Sequence, residues 1–342
     1  MNLTHLPLNL ELRDTFRISR EASDQRSNIL VKIADTTGNE GLGEAAPSRF
    51  YDQTAEAGLR SLASVSLDDY DDPFPIDDLL SPLRTQLADQ SSVLNAIDIA
   101  LHDLIGKNLG VPLYRLFGLN PEKTPATSFT IGIASLDEIR RKTEAAADYH
   151  VLKVKLGTDR DREIVSAIRE VNSAPLRIDA NAAWTVEETL ENVKWLEDAG
   201  VELLEQPLPK NDLDGYRRLV DLSQLPIIAD ESSVTVADVV KLRDCVHGVN
   251  IKLNKCGGLR NALEMIHVAR AQGMQVMIGC FIESSLGISA AVHLSSLADY
   301  VDLDGHLLII NDPFHGLTLR DGRVLPSERP GLGVELAENN HS

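Results

Sequence analysis

The stretch LKVKLG, residues 152–157, sets two lysines, Lys153 and Lys155, among aliphatic residues that favour a β-strand. Residues i and i+2 of a strand point to the same face, so both ammonium groups leave one face of a segment that otherwise has the composition of a buried core. One such lysine is ordinarily explained by snorkelling, in which the stem is buried and the charged head reaches water. A pair on one face fits that explanation poorly and predicts a functional site.

Seven further aliphatic runs accompany this one between residues 127 and 306, and amphipathic helical segments separate them. Such alternation is typical of a parallel sheet closed into a (β/α)-barrel. The segment after the eighth run looks like short strands instead of a helix, so we expect an α/β fold with a (β/α)7β-type TIM barrel. The eight runs are SFTIGI, HVLKVKLG, LRIDANA, VELLEQP, PIIADES, GVNIKLN, QVMIGCFIES and YVDLDGH.

The N-terminal third has a different pattern. Residues 1–50 predict strands and turns, including a hairpin that turns at Gly38–Asn39. Residues 52–118 predict helices, one of them with Ser92 as its N-cap and Gly110 at its end. We therefore expect three units in the chain. They are an α+β capping domain over 1–124, the barrel with the active site over 125–310, and a segment over 311–342 that returns to the capping domain.

Composition narrows the class of protein. The chain has 342 residues and a formal net charge of −19, which argues against nucleic acid or an anionic membrane as a partner. Three cysteines without ligand spacing suit a reducing compartment. The first residues lack a basic region followed by an apolar run, and no uninterrupted apolar run of about 18 residues follows. We expect a cytoplasmic protein with no membrane partner. The sequence leaves open whether it forms a homo-oligomer.

Three successive predicted strands end in acidic residues. Asp179, Glu205 and Asp230 are 26 and 25 residues apart, about one βα unit each, which places them on the rim where such barrels have their active sites. Converging carboxylates repel one another unless a cation lies between them, and oxygen ligands suit a hard divalent ion, Mg²⁺ above all. The alternative is that each carboxylate caps the following helix, which explains one residue better than three in succession.

Lysines flank this acidic set. Lys155 belongs to the strand before it and Lys252 to the strand after it, so two side chains can approach a central ligand from opposite sides of the barrel mouth. A lysine buried near a cation has its charged form disfavoured, which predicts a pKa lowered toward the range useful for proton transfer.

Motifs along nearly the whole chain resemble those of the enolase superfamily, specifically its muconate lactonizing enzyme subgroup. Those in the N-terminal third are GLGEAAPSRFYDQT and AIDIALHDLIGKNLGVPLYRLFG, and those in the barrel are KVK, RIDANAAW, EQP, ADES and IKLNKCGG, in that order. The resemblance implies one Mg²⁺ per subunit, held by Asp179, Glu205 and Asp230. It also implies an isomerase or lyase that removes a proton α to a carboxylate and forms an enediolate.

The resemblance also assigns roles to the three lysines. Lys155 and Lys252 are implied to be the acid/base groups on the two faces of the substrate. Lys153 is implied to bind the substrate carboxylate and to help lower the pKa of Lys155. Thr130 and Cys280 fall where the family lines its substrate pocket.

Several reactions share this machinery: cycloisomerisation, o-succinylbenzoate synthesis, N-acylamino acid racemisation and dipeptide epimerisation. The eighth run, VDLDGH, favours the last of these, because Asp302 and Asp304 share a face by alternation and resemble the pair that holds the α-ammonium of a dipeptide. Such a pair would repel a dicarboxylate substrate. The alternative interpretation is that Asp302 and Asp304 end the strand in a solvated turn. We expect a dipeptide epimerase that inverts the second residue by two-base 1,1-proton transfer.

The segment FRISREASDQRSN, residues 16–28, resembles the cap loop that closes over the second side chain of the substrate. Epimerases of Ala-Glu carry an arginine in this loop. Counting from Phe16, the corresponding positions hold Glu21 and Ser23, with Asp24 beside them. We therefore expect Glu21 and Asp24 to act as specificity residues and the enzyme not to be selective for Ala-Glu, with cationic or apolar second residues preferred.

Overall fold

The computed structural model describes residues 1–18 and 21–337. Its N-terminal part is an antiparallel sheet of three strands, β1 (Asn2–Ile18), β2 (Glu21–Ala34) and β3 (Glu40–Ala45). The predicted hairpin is confirmed, since residues 35–39 join β2 to β3 and Gly38 has a φ of 90°. In the segment 16–28, residues 16–18 and 21–28 are strand instead of loop, because β1 and β2 continue to pair as far as Ile18 opposite Glu21.

Four helices follow this sheet: α1 (Ala55–Leu62), α2 (Ile76–Gln86), α3 (Ser91–Leu109) and α4 (Leu113–Leu116). The α3 helix is buried over most of its length and packs on β2 and β3. It ends, as predicted, at Gly110, whose φ of 68° suits a left-handed cap. The prediction of Ser92 as its N-cap is wrong. The helix already begins at Ser91, and the Ser92 N–H donates to the side chain of Gln53 at 3.1 Å.

Eight parallel strands form a second sheet in chain order, and a parallel bridge between Thr127 and Val301 joins the last strand back to the first. The predicted TIM barrel is thus confirmed. The strands are β4 (Ser128–Ile131), β5 (Val151–Lys155), β6 (Leu176–Asp179), β7 (Val201–Glu205), β8 (Ile227–Ala229), β9 (Gly248–Lys252), β10 (Gln275–Gly279) and β11 (Tyr300–Asp302).

Every connection between consecutive barrel strands carries an α-helix. These helices are α5 (Leu136–Ala145), α6 (Asp161–Arg169), α7 (Val186–Asp198), α8 (Leu213–Leu222), α9 (Val236–Lys241), α10 (Leu253–Cys256), α11 (Leu259–Ala271) and α12 (Ser285–Val292). From β11 to residue 337, the end of the described chain, there is a 3-10 turn over Gly305–Leu308 but no α-helix, as the (β/α)7β form requires. Among residues 1–18 and 21–337, no helix combines the length and the apolar content needed to span a bilayer.

The C-terminal segment forms four short strands, β12 (Phe314–His315), β13 (Thr318–Arg320), β14 (Arg323–Leu325) and β15 (Glu335–Leu336). Beyond β14 it touches the N-terminal part of the chain. Leu113 donates its N–H to Gly331 at 3.1 Å, and Leu332 donates its N–H to the buried Asp103 carboxylate at 2.8 Å. The domain boundaries 1–124, 125–310 and 311–342 stay a prediction.

Polar contacts lock the N-terminal part onto the barrel. Asp98 of α3 accepts the N–H of Leu259 at the start of α11, at 2.6 Å. Asn254, two residues after the end of β9, accepts the N–H of Ala46 at 2.8 Å. Ala46 opens the segment that crosses the barrel mouth, so this contact fixes where the cap begins to cover the site.

Candidate active site

The two strands that carry the candidate bases lie on opposite sides of the barrel. Lys155 ends β5 and Lys252 ends β9, four positions apart in a closed ring of eight strands. Asp179 and Glu205 end the two strands after β5, and Asp230 directly follows β8. The acidic triad therefore occupies the half of the rim between the two lysines. The other half, from β10 through β11 to β4, carries Cys280, Asp302, Asp304 and Thr130.

The acidic triad is compact and buried. One oxygen from each of Asp179, Glu205 and Asp230 lies within 4.8 Å of the others. The Lys155 ammonium donates to Asp179 Oδ2 at 2.6 Å, and the Lys252 ammonium donates to Asp230 Oδ2 at 2.7 Å. Strand register sets Lys155 beside Asp179 and Asp179 beside Glu205. Pairing of β5, β6 and β7 thus brings Lys155, Asp179 and Glu205 together, although the register shifts between Leu176 and Arg177.

The three carboxyl groups of the triad have different acidities. Burial favours the neutral form of each, but Lys155 and Lys153 outweigh it at Asp179 and lower its pKa to about 2. At Asp230 the opposing charges of Lys252 and Lys255 also outweigh burial and hold the pKa well below its usual value. Glu205 differs, because burial and the neighbouring Asp179 raise its pKa to about 7. A further cation beside Glu205 would therefore be favoured.

Lys153 lies at the centre of the barrel mouth. Its ammonium is 2.7 Å from Asp302 Oδ2, 2.7 Å from Glu205 Oε2 and 3.2 Å from Asp179 Oδ2. Burial acts to lower its pKa, but the charges of Asp302 and Glu205 outweigh burial and raise the pKa well above its usual value. Asp230 outweighs burial in the same way at Lys252, whose pKa is also raised. The predicted lowering concerned Lys155 and Lys252 beside a bound cation, and it stays a prediction.

Both acidic residues of the VDLDGH motif are buried and line the same cavity. Asp302 also accepts the Ser128 hydroxyl at 2.7 Å, and Lys153 outweighs burial to lower the pKa of Asp302. Asp304 accepts the backbone N–H of Thr130 at 2.7 Å. Burial and the adjacent Asp302 raise the pKa of Asp304 to about 6. The solvated-turn alternative is excluded by this burial.

A cavity of about 770 Å³ lies over these residues, a size that suits a small-molecule ligand. The barrel contributes mostly polar side chains to its wall, and the N-terminal part of the chain contributes mainly small and neutral polar ones, with two arginines and three aromatic residues among them. The barrel residues include Thr130, Lys153, Lys155, Asp230, Lys252, Cys280, Asp302 and Asp304. The cap residues include Phe16, Arg26, Arg49, Phe50 and Tyr51.

The structure does not place the expected specificity residue Asp24 at the cavity. Among the described side chains, those of Ser23, Gln25 and Arg26 line the cavity, and that of Asp24 does not. The exposed Asp24 carboxylate instead accepts the hydroxyl of Thr15 on the paired strand. This corrects the expectation that Asp24 faces the substrate. The side chain of Glu21 lies outside the described part of the chain.

Three supporting residues were missed in the sequence. Asn250 donates to Glu205 Oε1 at 2.8 Å, and the Gln206 side chain accepts the Asp230 N–H at 2.8 Å. Ser128 is the partner of Asp302 described above. Alternation could have found Asn250 and Ser128, which are two residues before Lys252 and Thr130 on their strands. Gln206 gives no such signal, because its φ of 41° breaks the strand pattern.

The chemistry of the triad fits a divalent metal ion. Three buried carboxylates, all oxygen donors from separate strands, form the ligand set that Mg²⁺ prefers. Glu205 Oε2 is buried and makes no well-aligned hydrogen bond, although Lys153 lies near it. An ion ligated by the triad would satisfy that oxygen.

Comparison with known proteins defines the class. Residues 2–118 match the family described as the mandelate racemase / muconate lactonizing enzyme N-terminal domain, and residues 136–340 match the one described as enolase C-terminal domain-like. The chain therefore belongs to the enolase superfamily, and within it to the mandelate racemase / muconate lactonizing enzyme family.

Individual relatives match over almost the full length. An L-Ala-D/L-Glu epimerase of Bacteroides thetaiotaomicron is 41% identical, with 98% of this chain and 88% of the relative covered. The structure of a dipeptide epimerase from Methylococcus capsulatus with Mg and L-Arg-D-Lys has a TM-score of 0.87 at 31% identity, covering 97% and 98%. An N-succinyl Arg/Lys racemase from Bacillus cereus has a TM-score of 0.92 at 26% identity, covering 98% and 95%. Backbone similarity alone thus does not separate the two reactions.

Proposed function

We propose that this protein is a Mg²⁺-dependent dipeptide epimerase, with one ion per subunit, that inverts the α-carbon of the second residue. The observation that carries the proposal is the way the functional groups are distributed around the barrel mouth. Lys155 and Lys252 face each other across it, with the acidic triad on one half of the rim and Asp302 and Asp304 on the other. A dipeptide has a carboxylate and an ammonium on opposite sides of the carbon that reacts, and this layout matches both.

The two lysines perform the proton transfer. One lysine, as the neutral amine, removes the α-proton from its side of the substrate and becomes an ammonium, and the other, as an ammonium, delivers a proton to the opposite face, which inverts the carbon. Asp179 and Asp230 each hold one of these ammonium groups by a hydrogen bond, so both lysines are oriented before substrate arrives. Because the lysines exchange roles between the two isomers, the reaction runs in both directions.

Asp179, Glu205 and Asp230 would hold the Mg²⁺ ion. When bound, the ion supplies positive charge for the substrate carboxylate and stabilises the enediolate that forms as the α-proton leaves. Lys153 adds a second positive charge between the triad and Asp302, within reach of the same region of the cavity.

Asp302 and Asp304 favour a dipeptide over the alternative substrates of the family. Two buried carboxylates at one end of the cavity suit the α-ammonium of a free dipeptide. They would repel the second carboxylate of a cycloisomerase substrate, and an N-acylated amino acid, which has no ammonium, would offer them no cationic partner. Cycloisomerase, o-succinylbenzoate synthase and N-acylamino acid racemase are therefore the less supported alternatives.

The second side chain of the substrate meets a cap wall of mainly small and neutral residues that also includes two arginines. Arg26 and Arg49 line the cavity, whereas Asp24 does not. Repulsion by Asp24 is therefore no reason to expect poor activity on substrates with an acidic second residue. We propose a tolerant enzyme that is not restricted to Ala-Glu, accepts acidic and apolar second residues, and disfavours cationic ones.

The direct test is turnover of L-Ala-L-Glu and L-Ala-L-Leu with Mg²⁺, followed by acid hydrolysis and chiral chromatography. We expect the second residue to become a mixture of D and L while the first stays L. Faster racemisation of N-acetyl-leucine than of either dipeptide would instead identify an N-acylamino acid racemase.

A further inference from the structure

An aromatic side chain covers one of the two candidate bases but not the other. The Lys252 ammonium lies 5.4 Å from the centroid of the Phe281 ring. Within the described part of the chain, no aromatic ring faces the Lys155 ammonium in this way. The two sides of the site are thus built differently, although the proposed reaction uses them symmetrically.

Contacts of both the backbone and the ring fix the position of Phe281. Its backbone N–H donates to the buried carboxylate of Glu283 at 2.9 Å. Its carbonyl packs so closely on Gly305 that a Cβ there would lie 2.3 Å from the oxygen. Its ring meets the ring of Tyr51, a residue of the cap, with centroids 6.2 Å apart. The ring therefore has a defined position at the cavity wall, between the cap and Lys252.

We propose that Phe281 is a positioning residue for Lys252, so that the two half-reactions depend on different supports. The claim rests on the proposed epimerase function. The ring face attracts the ammonium while Asp230 holds it at 2.7 Å, and together they restrict the long lysine side chain to one approach toward the substrate. Among the described residues, the ion pair of Lys155 is with Asp179 at 2.6 Å, and Asp179 also lies 3.2 Å from the Lys153 ammonium.

The geometry makes a stereochemical prediction. Phe281→Leu keeps an apolar side chain but removes the ring, so it should slow proton removal from only one isomer of the substrate. We expect about a tenfold loss of kcat for that isomer, from the usual strength of such a contact, with little change in KM. Phe281→Tyr keeps the ring and should restore the rate.

The experiment measures α-hydrogen exchange in D₂O from each pure isomer, L-Ala-L-Glu and L-Ala-D-Glu, with the full-length Mg²⁺-loaded enzyme at early times. Lys252→Ala first identifies the isomer whose exchange needs Lys252. Phe281→Leu must then slow exchange of that same isomer. Phe117→Leu, a matched change at a ring that lies 5.7 Å from the His102 ring, should alter neither exchange rate.

The outcomes separate this claim from the proposed function. If wild-type enzyme exchanges neither isomer, the epimerase proposal fails. If wild-type exchanges both, and Phe281→Leu slows both equally, slows neither, or slows only the isomer served by Lys155, the positioning role of Phe281 is wrong while the epimerase proposal stands. A Phe281→Tyr variant as slow as Phe281→Leu would also overturn it.

Discussion

Lys153 donates a hydrogen bond of 2.7 Å to Asp302. This contact gives the two carboxylates of the VDLDGH motif different roles. Asp302 already faces a buried ammonium and the Ser128 hydroxyl. Among the described contacts, Asp304 has hydrogen bonds from the neutral Thr130, through its backbone N–H at 2.7 Å and its side chain. Asp304 is therefore the carboxylate with more negative charge left for a substrate ammonium, and Asp302 fixes Lys153.

The two carboxylates should respond differently to mutation. Asp304→Asn should raise KM for free dipeptides by about ten- to a hundredfold, because a hydrogen bond to a charged group contributes roughly 1.5–3 kcal/mol. KM for N-acetylated analogues should change little, since they carry no ammonium. Steady-state kinetics on both substrate types provides the check, and an equal loss for both would remove ammonium binding as the role of Asp304.

Asp302→Asn serves as the comparison. It removes one of the charges that balance the buried Lys153, so it should lower the free energy of unfolding as well as activity. Denaturant unfolding of the two Asn variants should show a larger loss for Asp302→Asn than for Asp304→Asn.

The acidic triad predicts an absolute requirement for a divalent ion. Asp230→Asn should abolish turnover, because two carboxylates make a poor Mg²⁺ site and Lys252 loses its charged partner. The asparagine oxygen can still accept hydrogen bonds, so the fold should survive, as circular dichroism would show. Isothermal titration with Mg²⁺ should detect binding to wild type and none to the variant. Full activity in excess EDTA would contradict the metal assignment.

The placement of Lys155 and Lys252 on opposite strands predicts that both are needed for inversion. Lys155→Ala and Lys252→Ala should each stop epimerisation. Each variant should still exchange the α-hydrogen of one isomer, a different one in each case, because the opposite base survives. The mass shift of each isomer in D₂O gives the readout. Interconversion of both isomers at the wild-type rate by either variant would exclude the two-base scheme.

Much of this site follows from local sequence, because its parts lie at the ends of regular strands. Once the alternation of strands and helices indicates a barrel, Asp179, Glu205 and Asp230 must lie on one rim, and i, i+2 spacing places Lys153 beside Lys155. These inferences need no knowledge of side-chain contacts. The same reasoning could have reached Asn250 and Ser128.

The cap was harder to predict, because distant parts of the chain determine it. The strand character of residues 16–18 and 21–28 comes from pairing between β1 and β2. Asp24 lies at a register shift in that pairing, where its carboxylate accepts the Thr15 hydroxyl. At the start of α3, the Ser92 N–H donates to the side chain of Gln53, which lies 39 residues earlier in the chain. The raised pKa of Lys153 also depends on carboxylates at or just beyond the ends of four different strands.

The cap wall predicts the order of substrates. Because Arg26 and Arg49 line the cavity, kcat/KM should be similar for L-Ala-L-Glu and L-Ala-L-Leu and lowest for L-Ala-L-Lys. Arg26→Met should lower kcat/KM for Ala-Glu relative to Ala-Leu, with about tenfold corresponding to ~1.4 kcal/mol. A wild-type preference for Ala-Lys would show that the arginines do not face the substrate side chain.

Stability should fall in mild acid because of His293. This buried ring accepts the Tyr114 N–H at Nδ1 and contacts the Leu332 carbonyl through Nε2, an arrangement that suits the neutral form. Burial lowers its pKa to about 4, against about 6.5 in an unfolded chain. Between these values the unfolded state binds the extra proton, so stability is complete above about pH 6.5 and decreases as the pH falls toward 4.

The size of this effect can be isolated by mutation. The His293 term should reach about 3 kcal/mol near pH 4, from the shift in pKa. Urea unfolding of wild type and His293→Gln between pH 7 and 4.5 measures it. We expect the variant to be less stable at pH 7 but to lose less stability on acidification. Parallel pH profiles would show that His293 does not titrate as described.

The central claim is that two opposed lysines invert a dipeptide through removal of its α-proton. Its most direct measurement is proton NMR of L-Ala-L-Glu with Mg²⁺-loaded enzyme in D₂O. We predict that the α-proton signal of the second residue disappears while a diastereomer deuterated at that carbon accumulates, and that the alanine α-proton remains. Folded, Mg²⁺-loaded enzyme that leaves this signal unchanged for L-Ala-L-Glu and L-Ala-L-Leu would contradict the account, as would loss of the signal through elimination or cyclisation instead of inversion.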